Sequence, residues 1–243
     1  MTPPFIQGQR TSAPEPATTI HRTYEIAALR PDGTRWIWQA RAPALPLFDS
    51  AFSAFGRGML VPTAEGLTAI EDLVPGDMVK TVSGDPSPVV WIGSTTFVPA
   101  DMGTRPSLIR VTADSFGMNR PEAYLTLGPN ARVLQTPPHL KALSAGQELL
   151  TPINQFIDSV NVIHVRPPTP VRLFHICLAR HAAVDIGGLG VETFHPGMHA
   201  FRNVSHTQRD QFLSMFPHIT HHTDFGPLAH PRAPEEDNAR TAA

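Results

Sequence analysis

The chain has 243 residues, 41% hydrophobic and 16% charged, which is enough for one main domain with a sizeable core. Its formal net charge of −2 and its scattered lysines and arginines argue against a nucleic-acid-binding surface. The single cysteine, Cys177, excludes an intrachain disulfide. Neither a signal peptide nor a bilayer-spanning run of about 18 apolar residues is recognisable. We therefore expect a soluble protein without a membrane segment, cytoplasmic or exported by a signal-peptide-independent route.

The first fifty residues predict a disordered segment followed by a β-hairpin. Residues 1–18 are rich in Pro, Thr and Ser, with too few apolar side chains to offset the entropy cost of ordering. Beyond them, Pro31-Asp32-Gly33 separates two β-prone runs, and this tripeptide favours a turn because Pro presets φ and Gly accepts a positive φ. Residues 19–50 are therefore predicted to form a hairpin and its connector.

Residues 51–200 show the pattern of an all-β domain. The chain's 26 prolines favour short strands joined by many turns over long helices. Runs enriched in Val, Ile, Leu and Thr predict strands at 58–63, 78–82, 89–92, 108–112, 124–127, 160–165 and 171–178. Several short strands with frequent turn signals are typical of a compact β-barrel or sandwich.

The C-terminal region, residues 201–231, predicts one helix and a loop. Ser205 and Gln208 have the spacing of a capping box, and a proline follows the helical pattern. Three apolar residues fall close to one face of this helix: Phe212, Leu213 and Phe216. The pattern predicts a helix docked on the β domain rather than a recruitment helix. Residues 232–243 are polar and are predicted to form a disordered tail.

Short motifs lie near both ends of the predicted β domain. They are Phe-Gly-Arg-Gly-Met-Leu-Val-Pro-Thr at 55–63, Ile-Glu-Asp-Leu-Val-Pro-Gly-Asp-Met-Val at 70–79, Val-Trp-Ile-Gly at 90–93, and the segments 171–181 and 191–197. Together they resemble the opening and closing segments of Hint (hedgehog/intein) domains, and the ending Glu-Thr-Phe-His-Pro-Gly is similar to that of a bacterial subgroup. The resemblance covers roughly residues 50–200 and implies a Hint-like all-β fold.

The resemblance also implies where a reactive centre would lie. Active Hint domains rearrange their own backbone: a side-chain nucleophile attacks the preceding carbonyl, and a histidine protonates the departing nitrogen. The matching positions here are Ala54 and Ala131, which can do neither. At the C-terminal end of the domain, where inteins have His-Asn, this chain has Glu192-Thr193. Hedgehog-like members do not need that Asn. The resemblance therefore implies a scaffold without its reactive groups.

Two residues remain as fallback catalytic candidates. Ser53 adjoins the nucleophile position, and a one-residue shift of the alignment would place its hydroxyl at the junction after Phe52. His181 matches a family position in the closing hairpin. We interpret Ser53 as a serine whose hydroxyl is hydrogen-bonded to the backbone. The spacing to Gly58 places Ala54, rather than Ser53, at the nucleophile position. His181 is interpreted as an inherited hydrogen-bonding residue without a partner nucleophile.

Other chemically active residue types give weaker patterns. Cys177 lies in an apolar β-prone run, which predicts a buried structural thiol, although His175 falls on the same strand face. His139 is displaced from the family position by eight residues and is interpreted as a loop histidine. Six histidines lie late in the chain: His195, His199, His218, His221, His222 and His230. They leave a metal-binding module open as an alternative, but no established metal motif supports it.

The sequence thus predicts a degenerate, non-catalytic Hint-like domain with a structural or interaction role. A cryptic autoproteolytic domain that uses Ser53 is one alternative, and a histidine-rich metal-binding module is the other. We expect no cofactor, no metal site, no small-molecule substrate, no nucleic acid and no membrane partner. An unidentified protein partner is the remaining kind of interaction.

Overall fold

The computed structural model describes residues 20–99, 105–202 and 204–234. The predictions of disorder for residues 1–18 and for 235–243 lie outside these ranges. Within the described ranges, no helix combines the length and the apolar composition needed to cross a lipid bilayer.

The predicted N-terminal hairpin is confirmed and is joined to the main sheet. Strands β1 (His21–Leu29) and β2 (Arg35–Pro43) pair antiparallel across a turn in which Gly33 has φ +82°. Strand β1 also pairs with the middle of the strand Pro86–Phe97, with Glu25 opposite Ser94. A short helix, α1 (Pro46–Ser50), follows the hairpin and buries Leu47 and Phe48. The hairpin is therefore part of the domain's hydrogen-bonded framework.

The rest of the structure is a β domain of short strands. In chain order these are β3 (Phe55–Gly56), β4 (Leu60–Thr63), β5 (Gly66–Ala69), β6 (Met78–Lys80), β7 (Pro86–Phe97), β8 (Leu108–Val111), β9 (Leu125–Leu127), β10 (Arg132–Leu134), β11 (Leu150–Pro152), β12 (Val162–Val165), β13 (Val171–Leu178), β14 (Ala183–Ile186) and β15 (Leu189–Glu192). Short 3₁₀ turns occupy Pro138–Leu140, Ile153–Phe156 and His222–Phe225. The predicted all-β class is confirmed, and each predicted run contains or overlaps a strand.

Among the described residues the strands form two antiparallel sheets. The larger has the order β12-β8-β9-β3-β13-β7-β6-β4-β5, with β1 added to β7 and β2 outside β1. Strand β7 is longer than predicted because its start pairs with β6, whereas its later part pairs with β1 and β13. The smaller sheet has the order β11-β10-β15-β14. Its central pair places Val133 opposite Val191 and so brings the start of β10 close to the end of β15.

The predicted C-terminal helix is also confirmed. Helix α2 (His206–Leu213) begins with the capping box of Ser205 and Gln208 and buries Phe212 completely. Its buried face belongs to a hydrophobic cluster separate from the core of the β domain, and we call this cluster the aromatic core. The aromatic residues of this core are Tyr24, Phe48, Phe52, Trp91, Phe194, Phe201, Phe212 and Phe216.

The aromatic core joins segments that are far apart in the chain. It takes residues from the hairpin, from α1, from β7 and from the region around α2. The Trp91 indole N–H donates to the Met215 carbonyl at 2.7 Å, and the Trp91 and Phe216 rings stack with centroids 4.5 Å apart. The predicted segments 19–50 and 201–231 therefore pack against each other as well as against the β domain.

Candidate functional site

The peptide bond between Ser53 and Ala54 is held at the centre of the structure. The Ala54 N–H donates to the Phe174 carbonyl at 3.0 Å, and the Ala54 carbonyl accepts from the Gly128 N–H at 2.8 Å. The Ser53 carbonyl accepts from the Asn130 N–H at 3.3 Å. Both carbonyls at this junction are therefore bound by the turn that leads into β10.

The approach of this turn to the junction is close enough to require glycine. A Cβ atom at Gly128 would lie 2.1 Å from the Ser53 carbonyl oxygen. Ala131 lies three residues after Gly128 and directly before β10. Its N–H donates to the Gly128 carbonyl at 3.2 Å. Ala54 and Ala131 are both completely buried in the core of the β domain. The structure thus brings the segments that carry the two alanines into direct hydrogen-bonded contact.

The Ser53 hydroxyl is buried and has two partners. It donates to the Asp49 carbonyl at 2.5 Å and accepts from the Asn130 side-chain amide at 2.8 Å. A hydroxyl that donates its proton to a backbone carbonyl is not hydrogen-bonded to a general base. The contacts match a structural serine that links α1 to the turn before β10.

A cleft of about 560 Å³ opens beside this junction. Its polar wall contains Asn130, Arg132, Asn154, Gln155, His175, Glu192, His195 and Arg232. Ala131 and the α1 residues Pro46, Leu47 and Ser50 also line it. Ala131, although completely buried itself, therefore lies in the wall of a largely polar cleft.

Glu192 is the central charged group of the cleft. Its Oε1 accepts from the Arg232 Nε at 2.9 Å, and its Oε2 lies 3.7 Å from the Arg132 Nε. Burial is the largest influence on the pKa of this carboxyl and raises it, but His181, Arg232 and Arg132 together hold the pKa below its ordinary value. Glu192 is therefore a buried carboxylate that depends on its cationic and hydrogen-bonding partners.

His181, the second fallback candidate, is one of those partners. The Ala229 N–H donates to the His181 Nδ1 at 3.0 Å, so the ring proton is on Nε2. Nε2 then donates to the Glu192 Oε1 at 3.1 Å. The His181 side chain is almost completely buried. Both ring nitrogens are used in positioning Glu192 and the loop before Arg232.

His175 lies in the cleft wall as a neutral imidazole. Burial lowers the pKa of His175 to about 3. Its ring makes edge contacts with Phe55 and Phe194, at centroid distances of 5.7 and 5.2 Å, and its Nδ1 accepts from the Ile176 N–H. Burial raises the pKa of the neighbouring Cys177 thiol, as expected for a structural cysteine.

We expect His175 to make the stability of the protein depend on pH. The unfolded chain binds this proton near pH 6.5 but the folded chain only near pH 3, so stability falls as the pH falls through this range. In His175→Asn, where an amide oxygen replaces Nδ1, the slope of unfolding free energy against pH should decrease by about 1.4 kcal/mol per unit below about pH 6. Urea unfolding at several pH values measures both slopes. Equal slopes would contradict a buried neutral imidazole.

The late histidines do not assemble into a metal centre. His195 donates from Nε2 to the Gly226 carbonyl and accepts at Nδ1 from the Gly197 N–H, each at 2.9 Å. Burial lowers the pKa of His218 to about 4. In the parts of the chain that are described, no three His, Cys, Asp or Glu side chains meet as a ligand set. His139 is exposed on a 3₁₀ turn.

Sequence reasoning names Ala131, His175, Glu192 and His195 but not the other polar residues of the cleft wall, which are Asn130, Arg132, Asn154, Gln155 and Arg232. Arg232 was assigned to the disordered tail, whereas its guanidinium donates to Glu192 and to the His195 carbonyl. Ala233 is buried as well, and its N–H donates to the Leu150 carbonyl. One signal for this site was available, namely an acidic residue at the end of the apolar run Leu189–Glu192.

Comparison with protein families matches residues 53–198 to the Hint domain. No curated protein matches the chain. Among solved structures, the chain is similar to a splice-inactive variant of the AceL NrdHF class 3 split intein, with 14% identity, 58% of this chain and 97% of that chain covered, and a TM-score of 0.34. It is also similar to the MchDnaB-1 intein, with 15% identity, 58% and 100% coverage, and a TM-score of 0.34.

Proposed function

Because the chain belongs to the Hint domain family, we propose that it is a Hint domain that does not cleave itself and has a structural or interaction role. One observation carries the proposal. The junction Ser53–Ala54 is bound by the turn that ends in Ala131, yet both positions that would carry reactive groups end in a methyl group. This combination supports a domain in which the two segments meet but carry no reactive side chain at either position.

The missing groups are needed together. Only a thiol or hydroxyl within reach of the Ser53 carbonyl can form the ester or thioester, and only a proton donor near the Ala54 nitrogen can assist its departure. Removing one member of such a unit generally costs about as much activity as removing all of them. A centre that lacks both members has no side chain for either step.

The position of the N-terminal segment supports the same proposal. Residues before the junction contribute Tyr24, Phe48 and Phe52 to the aromatic core, where they pack with Phe194 and Phe212. Tyr24 and Phe52 have ring centroids 4.3 Å apart, and Phe48 and Phe212 have theirs 5.7 Å apart. A segment built into the core in this way is not organised as a fragment to be released. It belongs to the folded unit that an interaction module would present.

The alternative of a cryptic nucleophile would require Ser53 to exchange its partners. Its proton would have to leave the Asp49 carbonyl for a base, and its oxygen would have to leave the Asn130 amide. No imidazole lies among the hydrogen-bond partners of Ser53 in the described structure. We therefore favour the non-processing domain over this alternative, and over a metal-binding module.

The wild-type chain is expected to stay intact under nucleophile challenge. After prolonged incubation with dithiothreitol or hydroxylamine, denaturing mass spectrometry should show one species containing all 243 residues. Denaturing conditions are essential, because fragments cut at the junction would remain associated through the aromatic core. A fragment ending at Phe52 or Ser53 that disappears in Ser53→Ala would replace this proposal with the cryptic one.

A gain-of-function variant tests whether the two alanines occupy one former centre. Ala54→Cys combined with Ala131→His is expected to produce some thiol-dependent cleavage after Ser53, whereas neither single variant should reach the same yield. The same mass measurement, with all three variants at equal concentration, gives the comparison. Equal yields from the double variant and from Ala54→Cys alone would show that residue 131 has no part in the centre.

A further inference from the structure

Strand β2 forms an open edge of the larger sheet. In the described part of the chain it pairs only with β1, and its nine residues follow β1 without a bulge. The Arg30 N–H donates to the Thr34 carbonyl, and the Ala44 N–H donates to the Ile20 carbonyl, each at 2.8 Å, at the two ends of this ladder. Because hydrogen-bonded pairs alternate in an antiparallel ladder, the even-numbered residues of β2 bond to β1 and the odd-numbered residues turn their backbone groups outward.

The outward backbone groups of β2 are closed at its end and open at its centre. The Arg41 carbonyl accepts from the Gln211 side-chain amide at 3.0 Å, and Pro43 has no N–H to offer. Before Arg41, three residues are exposed and turn outward N–H and C=O groups that no described residue binds: Arg35, Ile37 and Gln39. The open segment is therefore residues 35–39.

The side chains of the open segment lack the features that usually prevent an edge from pairing. Native sheets commonly protect an edge with a charged residue or a proline. Here the central residue is Ile37, whose side chain is 76% exposed. The one charged residue of residues 35–39, Arg35, is drawn back by a hydrogen bond from its Nε to the Pro75 carbonyl at 2.7 Å. On the other face Trp36 and Trp38 stack with ring centroids 4.0 Å apart. Apolar side chains therefore flank the open backbone groups on both faces.

We propose that the β2 edge pairs with the β2 edge of a second copy of this chain, antiparallel and with a two-fold axis at Ile37. In this register Ile37 lies opposite Ile37 of the second copy, and Arg35 lies opposite the neutral Gln39. Each open N–H and C=O group of the segment gains a partner, and no like charges meet. Trp36 lies opposite Trp38 on the other face, where cross-strand aromatic pairs are favourable. This self-complementarity about one residue favours a second copy over an unrelated peptide.

Such a dimer gives the proposed interaction role a partner. It rests on the proposed function, because only an uncleaved chain keeps β2 covalently joined to the β domain. The open segment contributes five residues from each copy, which is a smaller interface than stable dimers bury. Association should therefore be weak, reversible and dependent on concentration.

Sedimentation velocity of the full chain, from micromolar to millimolar concentration, measures the association. The wild type should shift toward a species of twice its mass as the concentration rises. Ile37→Lys and Ile37→Glu should each associate about tenfold more weakly, since the two-fold axis places like charges directly opposite each other. An equimolar mixture of these two variants should recover association, because opposite charges then meet.

The matched control is Leu67→Lys. Leu67 is 68% exposed on β5, the edge strand at the far end of the same sheet, so this variant adds the same charge to a different edge. It should associate like the wild type.

Amide hydrogen exchange locates the interface in the wild type. The N–H groups of Ile37 and Gln39 should exchange more slowly at high than at low protein concentration, because they donate only in the dimer. Those of Trp36 and Trp38 bond to β1 and should be protected at both concentrations.

Four results would overturn the inference. The chain stays monomeric up to millimolar concentration, Ile37→Lys associates like the wild type, or the mixture associates no more tightly than either variant alone. The fourth is protection of the Ile37 N–H that does not change with concentration, because the chain itself would then cover the edge. None of these results alters the intact mass of the wild-type chain, so failure of the inference is distinguishable from failure of the proposed function.

Discussion

Replacing Glu192 by Gln is expected to lower the free energy of unfolding by about 3–5 kcal/mol, because it removes the carboxylate that pairs with two largely buried guanidinium groups. The partners left behind are Arg132, Arg232 and His181, whose side chains are at most 18% exposed. A buried guanidinium without its carboxylate costs far more than the loss of an exposed ion pair. Urea unfolding at pH 7.5, followed by tryptophan fluorescence, measures the change.

The matched control is Glu25→Gln. Glu25 pairs with Arg172, and both side chains are 45% exposed. Exposed pairs contribute about 0–1 kcal/mol, so this variant should remain close to the wild type. Adding Arg232→Met to Glu192→Gln should recover part of the lost stability, since the unpaired guanidinium is then removed as well. Similar losses for the two Glu variants would show that Glu192 is not a buried centre of charge.

Phe216→Ala is expected to lower the free energy of unfolding by about 3–5 kcal/mol, the usual cost of a large aromatic side chain in a core. Phe216 is completely buried and stacks on Trp91 at 4.5 Å and on Phe194 at 5.5 Å. Urea unfolding followed by tryptophan fluorescence measures the loss of unfolding free energy. The cavity also loosens the packing of the segment after α2 on Trp91, so limited proteolysis should cut earlier in this variant.

An exposed apolar residue from the same region serves as the control for Phe216. Met198 is 86% exposed, and Met198→Ala should change the free energy of unfolding by less than about 0.5 kcal/mol. A loss below about 1 kcal/mol in Phe216→Ala would mean that the rings of Trp91, Phe194 and Phe216 are not closely packed.

Local features of the fold were predictable from the sequence because they depend on neighbouring residues. The turn at Gly33 needs a positive φ, and the capping box of Ser205 and Gln208 needs only a spacing of three residues. Runs of β-branched and apolar residues likewise predict short strands. The absence of reactive side chains at Ala54 and Ala131 follows from the sequence and the family resemblance alone.

The tertiary structure decided which residues surround those two positions. Arg232 lies forty residues after Glu192, and Asn130 lies seventy-seven after Ser53. Such pairs meet only when sheets pack and loops close, so no local pattern marks them. Packing also merged the N-terminal hairpin and the C-terminal helix into one aromatic core. The sequence by itself determined the strand pattern, the helix start and the presence of alanine at positions 54 and 131, because these depend on local dihedral preferences and residue identity. The charged cleft and the contact between the hairpin and α2 regions came from long-range burial, where each apolar or charged group is stabilised by partners distant in the chain.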